Sequence, residues 1–291
     1  MNWLDPSICF GAGRTEGGWT VGLAITFPLF IGAFSYGFGA TQLWRRSARG
    51  RPELTMRIGL FSAGWAVLAI AMVSPLHALA DRLFSAHMIE HELMMIVAAP
   101  LLVASHPAAE LLWALSPRAR KRVISSARVR WLAATWTTIS KPAVASLVHG
   151  IAIWAWHIPV LFESALGRPF LHYVQHASFL GTALLFWWAI LPRPAGRRAF
   201  GVSMMHLFLT SLHTSLLGVI LFLGARPWYA SDVQEARRWG LSAIEDQQLA
   251  GLIMWIPPGV IYGGVALMLA RQWIAAPSCG RLPPSLSTEH S

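Results

Sequence analysis

Charge is what this sequence has least of. Only 13 of its 291 residues are Asp or Glu, and charged residues of both signs make up 12%. A soluble domain carries about a quarter, so this chain cannot build an ordinary water-facing surface. Cysteine is nearly absent: Cys9 and Cys279 lie near opposite ends and form no CxxC pair, which argues against a thiolate metal centre. The stretch HELMM at 91 to 95 begins like the HExxH zinc motif but has no His at position 95, and no phosphate-cradling Gly loop or Ser/His/Asp arrangement stands out. Hydrolase chemistry finds little support. The net charge of +10 comes from 23 Lys and Arg in short clusters between apolar runs, a distribution that excludes a nucleic-acid-binding domain.

What is abundant is apolar surface, at 55% of residues. Seven runs are long enough for a hydrocarbon core, which takes roughly 20 helical residues: about 19 to 43, 56 to 76, 84 to 104, 142 to 160, 169 to 191, 200 to 224 and 247 to 273. The N-terminus lacks a basic start and small-residue cleavage site, so the first run reads as a retained span. Most Lys and Arg fall on one side of this arrangement. They place the N-terminus outside and the C-terminus inside, because basic residues accumulate in cytoplasmic loops. The expected fold is all-α, a polytopic seven-transmembrane helix bundle with N-out/C-in orientation. It comprises a periplasmic segment 1–18, a transmembrane domain 19–273 and a disordered, Pro- and Ser-rich cytoplasmic tail 274–291 that contains His290. Trp19 and Trp228 then lie at the outer interface, and Trp44, Trp187, Trp188 and Trp273 at the inner one. The segment SPRARKRVISSARVRW, 116 to 131, opens with a Ser-Pro helix start. It reads as an ordinary positive-inside loop, with contact to anionic headgroups as the sharper alternative.

The stretch SAHMIEHELMMIVAAPLLVASHP, 85 to 107, has the weight of a span yet carries His87, Glu90, His91 and Glu92 in its first quarter. His87 and His91 are one helical turn apart on one face, which Met94 continues and Met95 flanks. The fourth run ends outward at His157, with His149 about 12 Å deeper at 1.5 Å per residue. The fifth repeats the i, i+4 pair with His172 and His176, and the sixth carries His213 near mid-depth with His206 seven residues earlier. The last opens with EDQQLAGLIMW, which puts Gln247 and Met254 on a shared face. Six histidines on four helices thus gather in the outer half to middle of the membrane.

A lone intramembrane His usually just hydrogen-bonds a neighbouring helix, and buried Met is ordinarily core filler. Two His pairs at matching depth, with more His on adjacent spans, fit that reading poorly, because clustered polar groups in a bilayer mark a site or pathway. Paired imidazoles suit Zn, Cu, Fe or Ni, and thioethers favour Cu(I). The mixture leans towards copper, while iron in haem also takes His. Glu90 is placed to orient an imidazole from behind; Glu92 points off that face.

These residues also carry a resemblance. HMIEHELMMIVAAPLL at 87 to 102, WAWHIPVLFESAL at 154 to 166, HYVQHASFLGTALLFWW at 172 to 188 and DQQLAGLIMWIPPG at 246 to 259 make the chain similar to the seven-span CtaG family of cytochrome c oxidase assembly factors, named for caa-type oxidases. The resemblance covers most of residues 20 to 273. It implies a non-enzymatic role in maturing haem-copper oxidase in a bacterial inner membrane, with copper delivered or positioned. On that basis His87, His91, His157, His172, His176 and His213 are the expected metal positions, and Asp246 with Gln247 the motif of the last span. Glu90, Met94, His149 and Met254 complete the accessory set. The implied partners are oxidase subunits, a periplasmic copper chaperone and membrane lipids. In the expected mechanism His87, His157 and His172 receive copper and His91, His176 and His213 hold it deeper. The alternatives are a haem-binding b-type electron carrier, with the same His as axial ligands, and a copper permease extended inward through His149 and His206.

Overall fold

Proline opens many of the helices. Pro52, Pro75, Pro142, Pro159 and Pro169 each sit in a first turn, where the missing N–H leaves no hydrogen bond unmade. The computed structural model describes residues 19, 22–46, 50–125, 127–191, 197–229 and 233–275. Cys9, Cys279, His290, the segment before residue 19 and the tail after 275 lie outside the described residues. Among those described, every regular element is helical: α1 Leu23–Arg46, α2 Arg51–Val73, α3 Pro75–Ala80, α4 Phe84–Ala104, α5 Ala108–Ala114, α6 Pro117–Ser125, α7 Ala127–Ile139, α8 Pro142–Trp156, α9 Pro159–Gly167, α10 Pro169–Ile190, α11 Arg197–Leu223, α12 Val233–Arg238 and α13 Ala243–Ala275.

Five helices, α1, α2, α4, α11 and α13, are long and apolar enough to cross a membrane. The pair α8 and α9 passes the same test together, which raises the number to six, but it bends by 75° at the break. The sequence alone suggests one continuous run from 142 to 160. The break has a local cause: the residue before a proline is pushed out of the helical region, and Ile158, before Pro159, is extended with ψ 125°. Helix α10 has the length of a span at 22 residues but is not among these candidates, since His172, Gln175 and His176 in its first turns dilute its apolar character. Large apolar side chains such as Phe30, Val160, Leu223, Val260 and Leu267 point outward, as in a multi-pass membrane protein whose surround is lipid.

Helix α4 is the axis of the bundle. Its most apolar window is 72% buried, against 22% for α1. One side, with Met95, Ile96, Ala99 and Val103, packs into a core shared with α8 to α11 and α13; the other, with Met94, Ala98 and Leu102, packs against α1 and α2. Within α4 lies a π-helical segment, Leu93–Ala98, and Pro100 follows it. With no N–H it cannot serve the carbonyl that faces it in an i→i+5 register, that of Met95. Trp187 Nε1 donates to that carbonyl instead, at 2.8 Å.

Helices α11 and α13 approach most closely at Gly218 and Gly251. A Cβ on Gly251 would lie 2.5 Å from the Gly218 carbonyl oxygen and 2.7 Å from the Phe222 nitrogen, the small-residue contact through which membrane helices pack without help from water.

Candidate metal centre

The alternation of helix direction brings the starts of α4, α10 and α13 and the end of α8 to one end of the bundle. Two residues from the start of α13 anchor that end. Helix α4 has no side-chain cap of its own at Leu83. Asp246 provides one across the bundle, its carboxylate oxygens accepting from the backbone N–H of Phe84 at 2.8 Å and of Ser85 at 3.0 Å. A carboxylate there also meets the positive end of the helix dipole. Gln247 accepts from the N–H of Trp228 at 2.6 Å and donates to the carbonyls of Leu221 at 3.1 Å and Arg226 at 3.4 Å. Both residues are thus backbone anchors for the elements around the histidines.

Five imidazoles converge above them. The ring centroids of His87 and His91 are 4.2 Å apart, those of His172 and His176 4.3 Å, and those of His91 and His176 5.1 Å, while His87 and His172 stack at 5.5 Å. The fifth is His77 of α3, stacked on His172 at 5.6 Å and tilted against His176 at 5.8 Å. All five are buried. Ligand atoms of His87, His172 and His176 lie within 4.8 Å of one another, and so do those of His77, Glu90 and His176.

Hydrogen bonds on the far side of some rings fix which nitrogen is left over. His87 Nδ1 donates to the Ala80 carbonyl at 3.2 Å. A neutral ring has one N–H, so Nε2 carries the lone pair, and it has no partner. His77 Nδ1 donates to Glu90 Oε1 at 2.6 Å. His157, at the bend after α8, donates from Nδ1 to the Ile153 carbonyl at 2.6 Å and holds Nε2 at 3.4 Å from the Met88 sulfur. Two lone-pair donors therefore face each other. Also buried without partners are both nitrogens of His91 and His176, Nε2 of His172 and Glu90 Oε2. Buried polar atoms are nearly always satisfied, so this many unpartnered ring nitrogens in one buried cluster make it the candidate site of the molecule.

The pocket has a roof and a rim. Phe84, Phe162 and Tyr229 pack together, with ring centroids 4.4 to 5.2 Å apart, and Phe162 lies edge-on to His87 at 5.0 Å. The Tyr229 hydroxyl donates to the His157 carbonyl at 2.7 Å; burial raises its pKa well above the ordinary phenol value, which keeps the donor protonated. At the rim Asp81, 29% exposed, sits 3.8 Å from His172 Nδ1.

Other expected positions lie elsewhere. His213 is not among the converging rings; its Nδ1 accepts from Trp154 Nε1 at 3.3 Å. His213 and His206 line a separate groove of about 440 Å³ between α8 and α11, where His206 Nδ1 pairs with the Ser146 hydroxyl at 3.1 Å. His149 pairs with Thr182 at 3.0 Å and stacks on Phe186. Met94 packs with Phe61, Leu68 and Met72 in the α1–α2 core, and Met254 lies in the other core. Glu92 is buried and within electrostatic range of Tyr262 on α13. Three participants, His77, Asp81 and Met88, escape a reading by span. His77 and Asp81 belong to a short element between spans, and Met88 lies off the face shared by His87 and His91. The one sequence signal for the first two was an i, i+4 pair, His77 and Asp81, directly after a Ser-Pro helix start.

A family model described as cytochrome c oxidase caa3 assembly factor matches residues 34–276. No curated protein and no solved structure matches the chain.

Proposed function

The chain belongs to the cytochrome c oxidase caa3 assembly factor family, and from that premise we propose that it serves oxidase maturation by holding copper in its buried histidine cluster. The observation that carries this reading is the set of unpartnered ring nitrogens of His87, His91, His172 and His176 in one buried cluster. Copper is cargo in this reading. His87, His172 and His176 form the primary position, with His91 beside it and the His157 and Met88 pair adding soft donors that suit Cu(I). Asp81 and His172 form the entrance. Asp246 acts through geometry alone, by fixing where α4 begins and so where His87 and His91 point. With the basic end of the bundle towards the cytoplasm of a bacterial inner membrane, the cluster opens to the periplasm, on the side from which a copper chaperone would approach. A complete seven-span bundle, with α10 and the α8–α9 pair as spans, belongs to the same proposal.

The same histidines could be imagined as axial ligands of a haem. Rings packed against each other at 4.2 to 6.1 Å leave no slot for a porphyrin plane, which favours a bare ion. The test is metal analysis with an optical spectrum of the purified protein. Copper without a Soret band is expected, and haem without copper would refute the proposal.

A further inference from the structure

The histidine cluster contains a second set of donors of different chemistry. His77, Glu90 and His176 bring ligand atoms within 4.8 Å of one another, and His176 also belongs to the all-imidazole set with His87 and His172. Glu90 is fully buried in a membrane protein, where a carboxylate is costly unless it meets a positive charge. One of its oxygens accepts a hydrogen bond from His77 Nδ1 at 2.6 Å. The other has no partner, and neither ring nitrogen of His176 has one, although His176 Nε2 is only 3.9 Å from Glu90 Oε1.

Resting on the reading of the cluster as a copper-holding site, we propose that His77, Glu90 and His176 form a second metal position, selective for a divalent cation, beside the position formed by His87, His172 and His176. The selectivity follows from the donors. The first set offers only neutral imidazoles, with a thioether nearby, and suits a soft monovalent ion. The second adds a carboxylate, a harder ligand that carries one negative charge and so compensates a doubly charged ion better in a dry interior. Sharing His176 ties the two positions together, so the chain holds adjoining seats for two charge states of one cargo. His77 reaches the second seat because α3 folds back on α4, which carries it to Glu90, 13 residues later.

Anaerobic titration of the full-length protein in detergent separates the two positions, with Cu(I) as one probe and redox-inert Zn(II) as the other. The parent is expected to bind both. Glu90→Gln keeps the side chain's size and removes its charge; it should weaken Zn(II) binding by tenfold or more while changing Cu(I) affinity less than threefold. His87→Ala should do the reverse. His77→Ala is the second probe should Glu90→Gln fold poorly, as judged by gel filtration, and should likewise weaken Zn(II) selectively. A parent that takes Cu(I) but no Zn(II) would overturn the second position. So would Zn(II) binding unaffected by either variant, or equal loss of both ions in Glu90→Gln and His77→Ala. A parent that binds Zn(II) but no Cu(I) would instead overturn the copper reading on which the inference rests.

Discussion

Asp246 shows how a residue can order the surroundings of the histidine cluster without joining it. Its oxygens are used by the N–H groups of Phe84 and Ser85, and removing them leaves buried donors unmet at a cost of about 1–3 kcal/mol. Asp246→Ala should therefore lower the thermal midpoint of the purified protein, followed by circular dichroism, while the folded fraction keeps the parent's copper stoichiometry. Loss of copper at unchanged stability would make Asp246 a ligand instead. His91 predicts the opposite pattern. With both ring nitrogens unpartnered and buried, His91→Ala should weaken copper binding, and its stability cost should be that of the cavity alone, because no hydrogen bond is broken. Equilibrium binding and thermal melts on one preparation check both halves. These two residues also mark the limit of what sequence could say. The His87, His91 and His172, His176 pairs were legible because i, i+4 spacing is local and every helix obeys it. The roles of Asp246 and His77 depend on partners 162 and 13 residues away, set by how helices pack rather than by any period in the chain.

Helix α4 carries the corresponding lesson for elements. A 3.6-residue period puts Met94 on the face of His87 and His91, yet Met94 packs in the α1–α2 core, at the start of a π-helical turn, Leu93–Ala98, that shifts the register of the residues after it. Nothing in the apolar pattern betrays such a change of register. Beside it stand a proline without a donor and a distant tryptophan that bonds the Met95 carbonyl. The helix itself was legible, at about 84 to 104, because its apolar run ends where the helix does. If Trp187 takes over the bond that Pro100 cannot make, Trp187→Phe should cost about 1–3 kcal/mol in the parent and markedly less in a Pro100→Ala background, where the new N–H can serve Met95. The four proteins of this double-mutant cycle, compared by thermal melting, decide the matter; an equal cost in both backgrounds would break the link. Gly251 tests the neighbouring contact. Since a Cβ there meets the Gly218 carbonyl oxygen at 2.5 Å, Gly251→Ala must push α11 from α13, with a penalty of about 1–3 kcal/mol and loosened anchoring of the 224–229 segment by Gln247.

Across the whole molecule, most Lys and Arg gather at the end opposite the histidine cluster. Arg46 and Arg120 lie over the Trp113 ring at 4.8 and 3.9 Å, and Arg197 lies over Trp273 at 4.9 Å, so the end of α1, the start of α6, the start of α11 and the end of α13 share one basic end. The histidine cluster occupies the other. Reporter fusions or cysteine labelling in the 105–141 segment should therefore report cytoplasm, and labelling near Trp228 should report periplasm; the reverse would put the entrance at Asp81 on the wrong side for periplasmic copper. Such a polarity has a consequence in the cell. A factor that positions copper acts on the oxidase after its polypeptides are made, so a strain lacking this protein should contain the oxidase subunits but show low activity and copper-poor centres. Replacing His87 and His172 together should reproduce that state, since the two rings stack at 5.5 Å in the primary set and their loss leaves His176 without its imidazole partners there. Asp246 and Gln247 remain in place to hold the helix ends, so the double variant should accumulate normally, as blotting must verify before lost activity is read as lost function. Fully metallated, active oxidase in a strain carrying only the double variant would separate this protein's contribution to assembly from copper altogether.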